Sequence, residues 1–374
     1  MLSDKTERNN WLTLDAVMQK GIDDRVFPGA VILVWLKDEI VFHEAYGNID
    51  TGNTNISAHP RILFDLASLT KPLATTLVLI ELVSQGKLSL DDSLESVFQG
   101  SKEVLGDKGR ITIRHLLSHT SGLPAYKPYY KILVQVKENY RKKELFKLLM
   151  NESLESAPGE NSCYSDLGFM LLQLVVEELT GQSLAKLCRE MYTFFGIDTL
   201  LFSPKQVEID SVVEYQCAST GMCWWRVRKL SGEVHDENAY VLGGVAGHAG
   251  LFGTALDVCK LLSNLHDVYI GKQRIEMLDP DVIGIFWSRQ ENLGDGNWAL
   301  GFDIPSKAAS SAGNYFSDNS IGHLGFTGTS FWFDLDRRLI VILLTNRVYY
   351  GRENEKIRSF RPVVHDEVIR CLRL

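Results

Sequence analysis

Two hydrophobic periodicities occupy different stretches of this chain. Near the N-terminus, Ala30–Leu36 is an apolar run of strand length, followed by Lys37-Asp38-Glu39 and a second such segment, Ile40–Tyr46. Two strand-length segments around a short polar turn predict a β-hairpin. A second pair, Phe331–Asp334 and Leu339–Thr345, flanks Asp336-Arg337-Arg338 close to the C-terminus. Elsewhere the spacing is helical: Leu12–Gly21, Leu73–Val83, Glu144–Asn151, Leu167–Leu179, Leu184–Tyr192 and Asp366–Leu372. Gly86 stands where a C-terminal cap for the second of these belongs. Hairpins near both ends with helices between them predict an α/β fold of the α+β type, an antiparallel sheet flanked by helices. The expected organisation is a single domain over residues 1–374. Its α/β lobe takes about 1–105 and 235–374, and a helical lobe takes about 106–234. No internal repeat or low-complexity segment interrupts this pattern.

Candidate chemistry sits at the edges of these elements. In Ser68-Leu69-Thr70-Lys71 an alcohol and an amine lie three residues apart, on one face of a helix. A serine hydroxyl becomes a useful nucleophile when a neighbouring base takes its proton, and a desolvated lysine can serve. A helix start adds backbone N–H groups that favour negative charge there. Tyr164-Ser165-Asp166 follows Pro158-Gly159 and opens the apolar run Leu167–Val176. His323-Leu324-Gly325 precedes the strand-like Thr329–Phe333.

These three motifs, in this order and spacing, resemble the S-x-x-K, Y-x-N and K/H-x-G signatures of the class C type serine β-lactamase, D-alanyl-D-alanine peptidase and esterase superfamily. Val26–Val31, Gly86–Asp92, Ile113–Leu123 and Gly247–Thr254 are similar to the same family, so the resemblance covers roughly residues 10 to 350. It implies a β-lactamase/transpeptidase-like fold with the active site in a cleft between the lobes. It also implies Ser68 as the nucleophile of an acyl-enzyme, Lys71 and Tyr164 as proton-transfer partners, and an oxyanion hole from the backbone N–H groups of Ser68 and Phe326. Lys71 and Tyr164 remain alternative bases at this point. Asp166, His323, Gly325, Phe326 and His248 are the implied substrate-binding residues.

Two positions depart from the family pattern. Asp166 stands where asparagine is usual, and an ionised carboxylate only accepts hydrogen bonds whereas an amide also donates. Either it pairs with Lys71 or the substrate offers a donor there. His323 stands where most class C β-lactamases carry lysine. At an ordinary histidine pKa it would be mostly neutral at pH 7 and mostly protonated at pH 5.5, giving a pH-dependent attraction for carboxylates. Other conspicuous groups have simpler readings. His119 belongs to a turn rather than to a Ser/His pair with Ser121. His235-Asp236-Glu237-Asn238 and His248 form a polar network rather than a metal site, with His248 also a possible substrate contact. Gly243, Gly244, Gly247, Gly250 and Gly253 lack the order of a dinucleotide fingerprint. Trp224 and Trp225 belong to the cleft mouth or to a packed core.

Composition narrows the classes without choosing among them. With 374 residues and 45% hydrophobic content the chain can bury a large core, and a formal net charge of −8 argues against nucleic acid or an anionic membrane as partner. The six cysteines show no C-x-x-C and no zinc-ligand spacing, so free thiols and no metal are expected. Cys163, beside Tyr164, reads as a small apolar filler. Met1–Asn10 is polar, without a signal-peptide core, which predicts a cytoplasmic protein, or a periplasmic or secreted one if a leader has been removed. The expectation is a cofactor-free serine acyl-hydrolase acting on a small-molecule ester, amide or β-lactam, carboxylesterase- or peptidase-like. A β-lactamase or D-alanyl-D-alanine carboxypeptidase is the alternative enzyme, and a non-hydrolysing penicillin-binding or scaffold protein the alternative of another class.

Overall fold

The first and last hairpins meet in one sheet. The computed structural model describes residues 10–50, 55–99, 105–205, 216–294 and 298–374. Six strands, β1 (Gly29–Leu36), β2 (Glu39–Asp50), β3 (Ile56–Ser57), β4 (Ser320–Leu324), β5 (Ser330–Asp334) and β6 (Leu339–Thr345), lie in the order β3-β2-β1-β6-β5-β4 with every neighbouring pair antiparallel. The central pairing joins sequence-distant segments, Val31 opposite Leu344 and Leu36 opposite Leu339. The β1–β2 turn places Lys37 and Asp38 at φ 47° and 79°, the two positive values of a type I′ turn, and Asp38 accepts from the Arg338 guanidinium at 2.5 Å.

Both sheet faces are covered, which is why the strands read as continuous apolar runs rather than alternating ones. Ala30, Ile32, Val34, Val341 and Leu343 pack on helices α1 (Leu12–Asp23) and α5 (Ile357–Leu372) through Leu14, Met18, Val364 and Val368. Val31, Leu33, Trp35, Ile340 and Ile342 face a larger apolar cluster that continues into the helical lobe through Leu116, Phe169 and Leu172. Helices Arg141–Asn151, α3 (Asp166–Thr180) and α4 (Leu184–Phe194) stand where the periodicity places them.

The helix expected from Leu73 begins earlier and changes its winding. Ala67–Leu69 makes a 3₁₀ turn, Lys71–Thr76 a π-helical turn with Pro72 in its first positions, and α2 (Leu77–Ser84) a regular α-helix. Gly86, at φ 65°, closes it: the Gly86 N–H bonds Val83 O and the Lys87 N–H bonds Leu82 O, a Schellman motif. Among the described residues, Ala67–Ser84 is the one helix long and apolar enough to cross a membrane, and 78% of it is buried inside the fold as a core helix. The closing helix starts at Ile357 rather than Asp366, and β2 extends four residues beyond Tyr46. All six cysteines are free.

Candidate active site

Ser68 sits on an elbow that its neighbours hold in place. Ala67, just before it, has φ 48°, a left-handed conformation costly for alanine. Asp65 offsets this. Its Oδ1 accepts the Ala67 N–H at 2.9 Å and its Oδ2 the His235 N–H at 2.7 Å. The Thr70 hydroxyl donates to Ala67 O at 2.6 Å and accepts the Leu251 N–H at 3.1 Å, tying the elbow to a neighbouring strand. Burial pushes the Asp65 carboxyl up to about 6 despite those two bonds.

Lys71 is wholly buried, and its ammonium meets three acceptors: Ser68 Oγ at 3.1 Å, Asp166 Oδ1 at 2.7 Å and the His248 carbonyl at 3.3 Å. An ammonium has three N–H donors, so this environment suits the charged form. Burial pulls the Lys71 pKa down, but Asp166 and the Tyr164 phenol outweigh it and hold the pKa above the ordinary lysine value. Nζ also lies 4.8 Å from the centre of the Tyr164 ring. The Tyr164 hydroxyl faces both Ser68 and Lys71; burial raises its pKa against the pull of the ammonium. Tyr164 precedes α3, whose N-cap Ser165 accepts the Gly168 N–H, and this places Asp166 in the first turn beside the positive end of the helix dipole.

His323 ends β4 with its ring buried and 6.0 Å from that of Tyr164. Its Nδ1 lies 3.0 Å from Leu324 O, so Nδ1 carries the hydrogen and Nε2 is left without a partner. Burial, with Lys71 adding to it, pushes its pKa down to about 3. The expectation of a histidine that charges near pH 5.5 is therefore corrected: desolvation keeps this ring neutral through that range. Gly325 is required by space, since a Cβ there would lie 2.0 Å from Thr329 Oγ1 and 2.7 Å from Leu66 O. That contact brings the next residue beside the segment that carries Ser68. Neither the Ser68 nor the Phe326 N–H has a protein acceptor among the described residues.

The cleft these groups share has a volume of about 540 Å³ and is also lined by Trp298, Asp303, Arg352 and Arg361. His248 stands in its wall with a buried ring whose Nε2 lies 3.0 Å from Asp236 Oδ1. Burial opposes it, but His248 and the Ala239 N–H hold the Asp236 carboxyl down to about 2. This is the expected polar network, and no group of three metal-ligating side chains occurs among the described residues. The His119 segment is a turn, with His119 at φ 57°, yet its ring does more than turn the chain. It packs tilted on Tyr164, with ring centres 4.6 Å apart, and edge-on against Trp298 at 4.7 Å, and Nδ1 accepts the Ser165 N–H at 3.1 Å. Trp224 is exposed on a hairpin, and Trp225 packs on Tyr130 and Tyr240.

Several cleft residues escaped the sequence reading. Arg361 is buried and donates to Gly325 O and Thr329 O at 3.0 and 2.9 Å, bracing the strand end that carries His323. Burial, with Arg347 and Arg358 adding to it, takes its pKa down to about 9. Burial also carries Asp303 up to about 7. Nothing in the spacing of these residues marks them. Asp65 did carry a signal, because an aspartate two residues before an N–H it can accept is a common turn device.

Comparison with known proteins agrees with this geometry. The Beta-lactamase family model matches residues 14–362. The chain is 33% identical over 356 residues to an N-acetylmuramyl-L-alanine amidase of Bacillus subtilis (strain 168), covering 86% of this chain and 77% of that one. It is 29% identical over 351 residues to a "Putative D-alanyl-D-alanine carboxypeptidase" of Escherichia coli (strain K12), covering 86% and 79%. The octameric penicillin-binding protein homologue from Pyrococcus abyssi shares the fold, with a TM-score of 0.67 and 20% identity over 89% of this chain and 73% of that one. The chain belongs to the beta-lactamase family and is a serine hydrolase that works on ester or amide substrates through a covalent acyl-enzyme.

Proposed function

We propose that Ser68 is the nucleophile of this hydrolase and that its substrate is a peptide-type amide or a simple ester in preference to a β-lactam. The observation that carries the assignment is the Lys71 ammonium, 3.1 Å from Ser68 Oγ and held there by Asp166. Because Lys71 rests charged, it stabilises negative charge on its neighbours and is not the resting base. Tyr164 takes the Ser68 proton: its phenolate, a minor form at neutral pH, is favoured by the adjacent ammonium. As Ser68 Oγ bonds to the scissile carbonyl carbon, its proton passes to the Tyr164 oxygen and on to the leaving amine or alcohol. Water then hydrolyses the acyl-enzyme by the reverse transfer. The Ser68 and Phe326 N–H groups receive the oxyanion.

The preference against β-lactams rests on charge. With His323 neutral and Lys71 paired with Asp166, neither side chain is a free cation for a substrate carboxylate. The arginines that line the cleft are already engaged: Arg352 with Glu237, Arg358 with Glu355, and Arg347 and Arg361 with backbone carbonyls. The amidase and carboxypeptidase relatives support cell-wall peptides as the amide class. The test is to incubate the protein with a fluorescent penicillin, p-nitrophenyl butyrate, a D-Ala-D-Ala peptide and a muramyl peptide. The expected result is faster turnover of the ester and a peptide than of the penicillin. Faster turnover of the penicillin would replace this reading with a β-lactamase.

A further inference from the structure

The cleft wall nearest Ser68 presents acceptors that the protein leaves unsatisfied. Asp166 gives Oδ1 to Lys71 at 2.7 Å, while its second oxygen has no protein donor among the described residues and its side chain is 21% exposed. His323 is 2% exposed; its Nδ1–H is committed to Leu324 O, so Nε2 is a bare lone pair, and it has no partner. Both side chains line the cavity that contains Ser68. Lys71 cannot turn toward either atom, because its three N–H groups already point at Ser68, Asp166 and His248 O. A buried acceptor without a donor carries a desolvation cost that a bound N–H removes and a bound oxygen does not.

We propose that this cleft selects substrates with an N–H donor, as in a peptide amide, next to the scissile carbonyl, and that Asp166 Oδ2 and His323 Nε2 are the accepting atoms. This selectivity rests on Ser68 being the acylated residue. A neutral amide N–H suits the site better than an ammonium, because Lys71 already supplies the positive charge that Asp166 balances. A carboxylate or ether oxygen in the same place brings lone pairs against lone pairs. A site built to bond an N–H discriminates strongly against an analogue that lacks it.

The experiment uses a matched pair of substrates, the p-nitrophenyl esters of N-acetylalanine and of 2-acetoxypropionate, which differ by N–H against O at one position. Wild type should show kcat/KM about tenfold or more higher for the N–H ester. Asp166→Asn sharpens the test. Lys71 can donate only to the amide oxygen of the new side chain, so the NH₂ of that side chain faces the cleft and an acceptor becomes a donor. The substrate ratio should then fall toward one or invert, whatever happens to the absolute rate, with a circular dichroism melt confirming that the variant folds. Equal turnover of the two esters by wild type, with Ser68 acylated, overturns the selectivity and leaves the acyl-enzyme reading standing. So does an undiminished ratio in folded Asp166→Asn. Failure of the N–H ester to label Ser68 overturns both, and should the variant not fold, the wild-type pair still decides.

Discussion

Asp166→Ala should destabilise this protein by an amount that depends on pH in a defined direction. Lys71 is wholly buried and Asp166 is its one carboxylate partner among the described residues, at 2.7 Å. Without Asp166 the ammonium keeps only Ser68 Oγ and His248 O as acceptors. Removing one partner of a buried ion pair costs about 3–5 kcal/mol. The loss has a ceiling, since Lys71 can shed its proton, which for a lysine of pKa about 10.4 costs about 4.6 kcal/mol at pH 7. With about 2.1 cal/mol/K of unfolding entropy per residue over 374 residues, a 3–4.6 kcal/mol loss lowers Tm by about 4–6 °C.

The sign with pH follows from the two lysine states. In wild type the folded pKa lies above the ordinary value, so the stabilisation is complete below about pH 10.4 and is lost only as pH rises through the folded value. In the variant the lysine is destabilised as a cation, so the gap is widest near pH 6.5, and by pH 9.5 the ceiling falls to about 1.2 kcal/mol. Lys71→Met should lose less than Asp166→Ala at pH 6.5, because it leaves behind a partly solvated carboxylate rather than a buried ammonium. Thermal and guanidinium unfolding of the three proteins at pH 6.5, 8 and 9.5 measures all of this. Equal stability of wild type and Asp166→Ala at pH 6.5, or a gap that does not narrow with pH, refutes the reasoning.

Other outcomes follow from the same geometry. Lys71→Ala and Tyr164→Phe should each lower kcat by about 10²-fold or more, and the double variant should lose far less than the product, because both serve one proton; steady-state kinetics on p-nitrophenyl butyrate reads this. His323→Gln should leave the shape of the pH–rate profile between 5.5 and 8 unchanged, since the ring, with a pKa of about 3, does not charge in that range. His323→Lys should lower KM for nitrocefin and barely alter it for p-nitrophenyl butyrate, because it introduces the missing cation. Asp65→Asn should fold but lose about tenfold or more in acylation rate: one amide oxygen replaces two acceptors, so the Ala67 or His235 N–H loses its partner and the Ser68 elbow loosens. Stopped-flow acylation checks it.

The motifs were legible because each sits at a boundary that sequence marks. Ser68 and Lys71 precede an apolar helix, Tyr164 and Asp166 open another, and His323 and Gly325 end a strand before the hairpin of β5 and β6. Strands β1 and β6 were legible as apolar runs, but their pairing was not, since no local signal sets Val31 opposite Leu344. The extent of β4 was not legible, because Ser320–Leu324 is short and interrupted by Gly322. The start of α5 was hidden by Arg358 and Arg361, which break its apolar pattern; Arg361 is buried only because two backbone carbonyls accept its hydrogen bonds. The ring of His119 read as part of a turn, and only the folded chain packs it against Tyr164. The charge state of His323 was misjudged for the same reason, because burial is a property of the assembled cleft.

The central claim is that Ser68 Oγ forms a covalent acyl-enzyme, and intact-protein mass spectrometry tests it most directly. Rapid acid quenching during turnover of the N-acetylalanine p-nitrophenyl ester should show a single added acyl group, mapped by peptide digestion to the segment containing Ser68. The adduct should decay as hydrolysis completes. Ser68→Ala should melt like wild type and show neither adduct nor turnover. An adduct on another residue, or a Ser68→Ala protein that keeps most of the wild-type hydrolysis, would contradict the account.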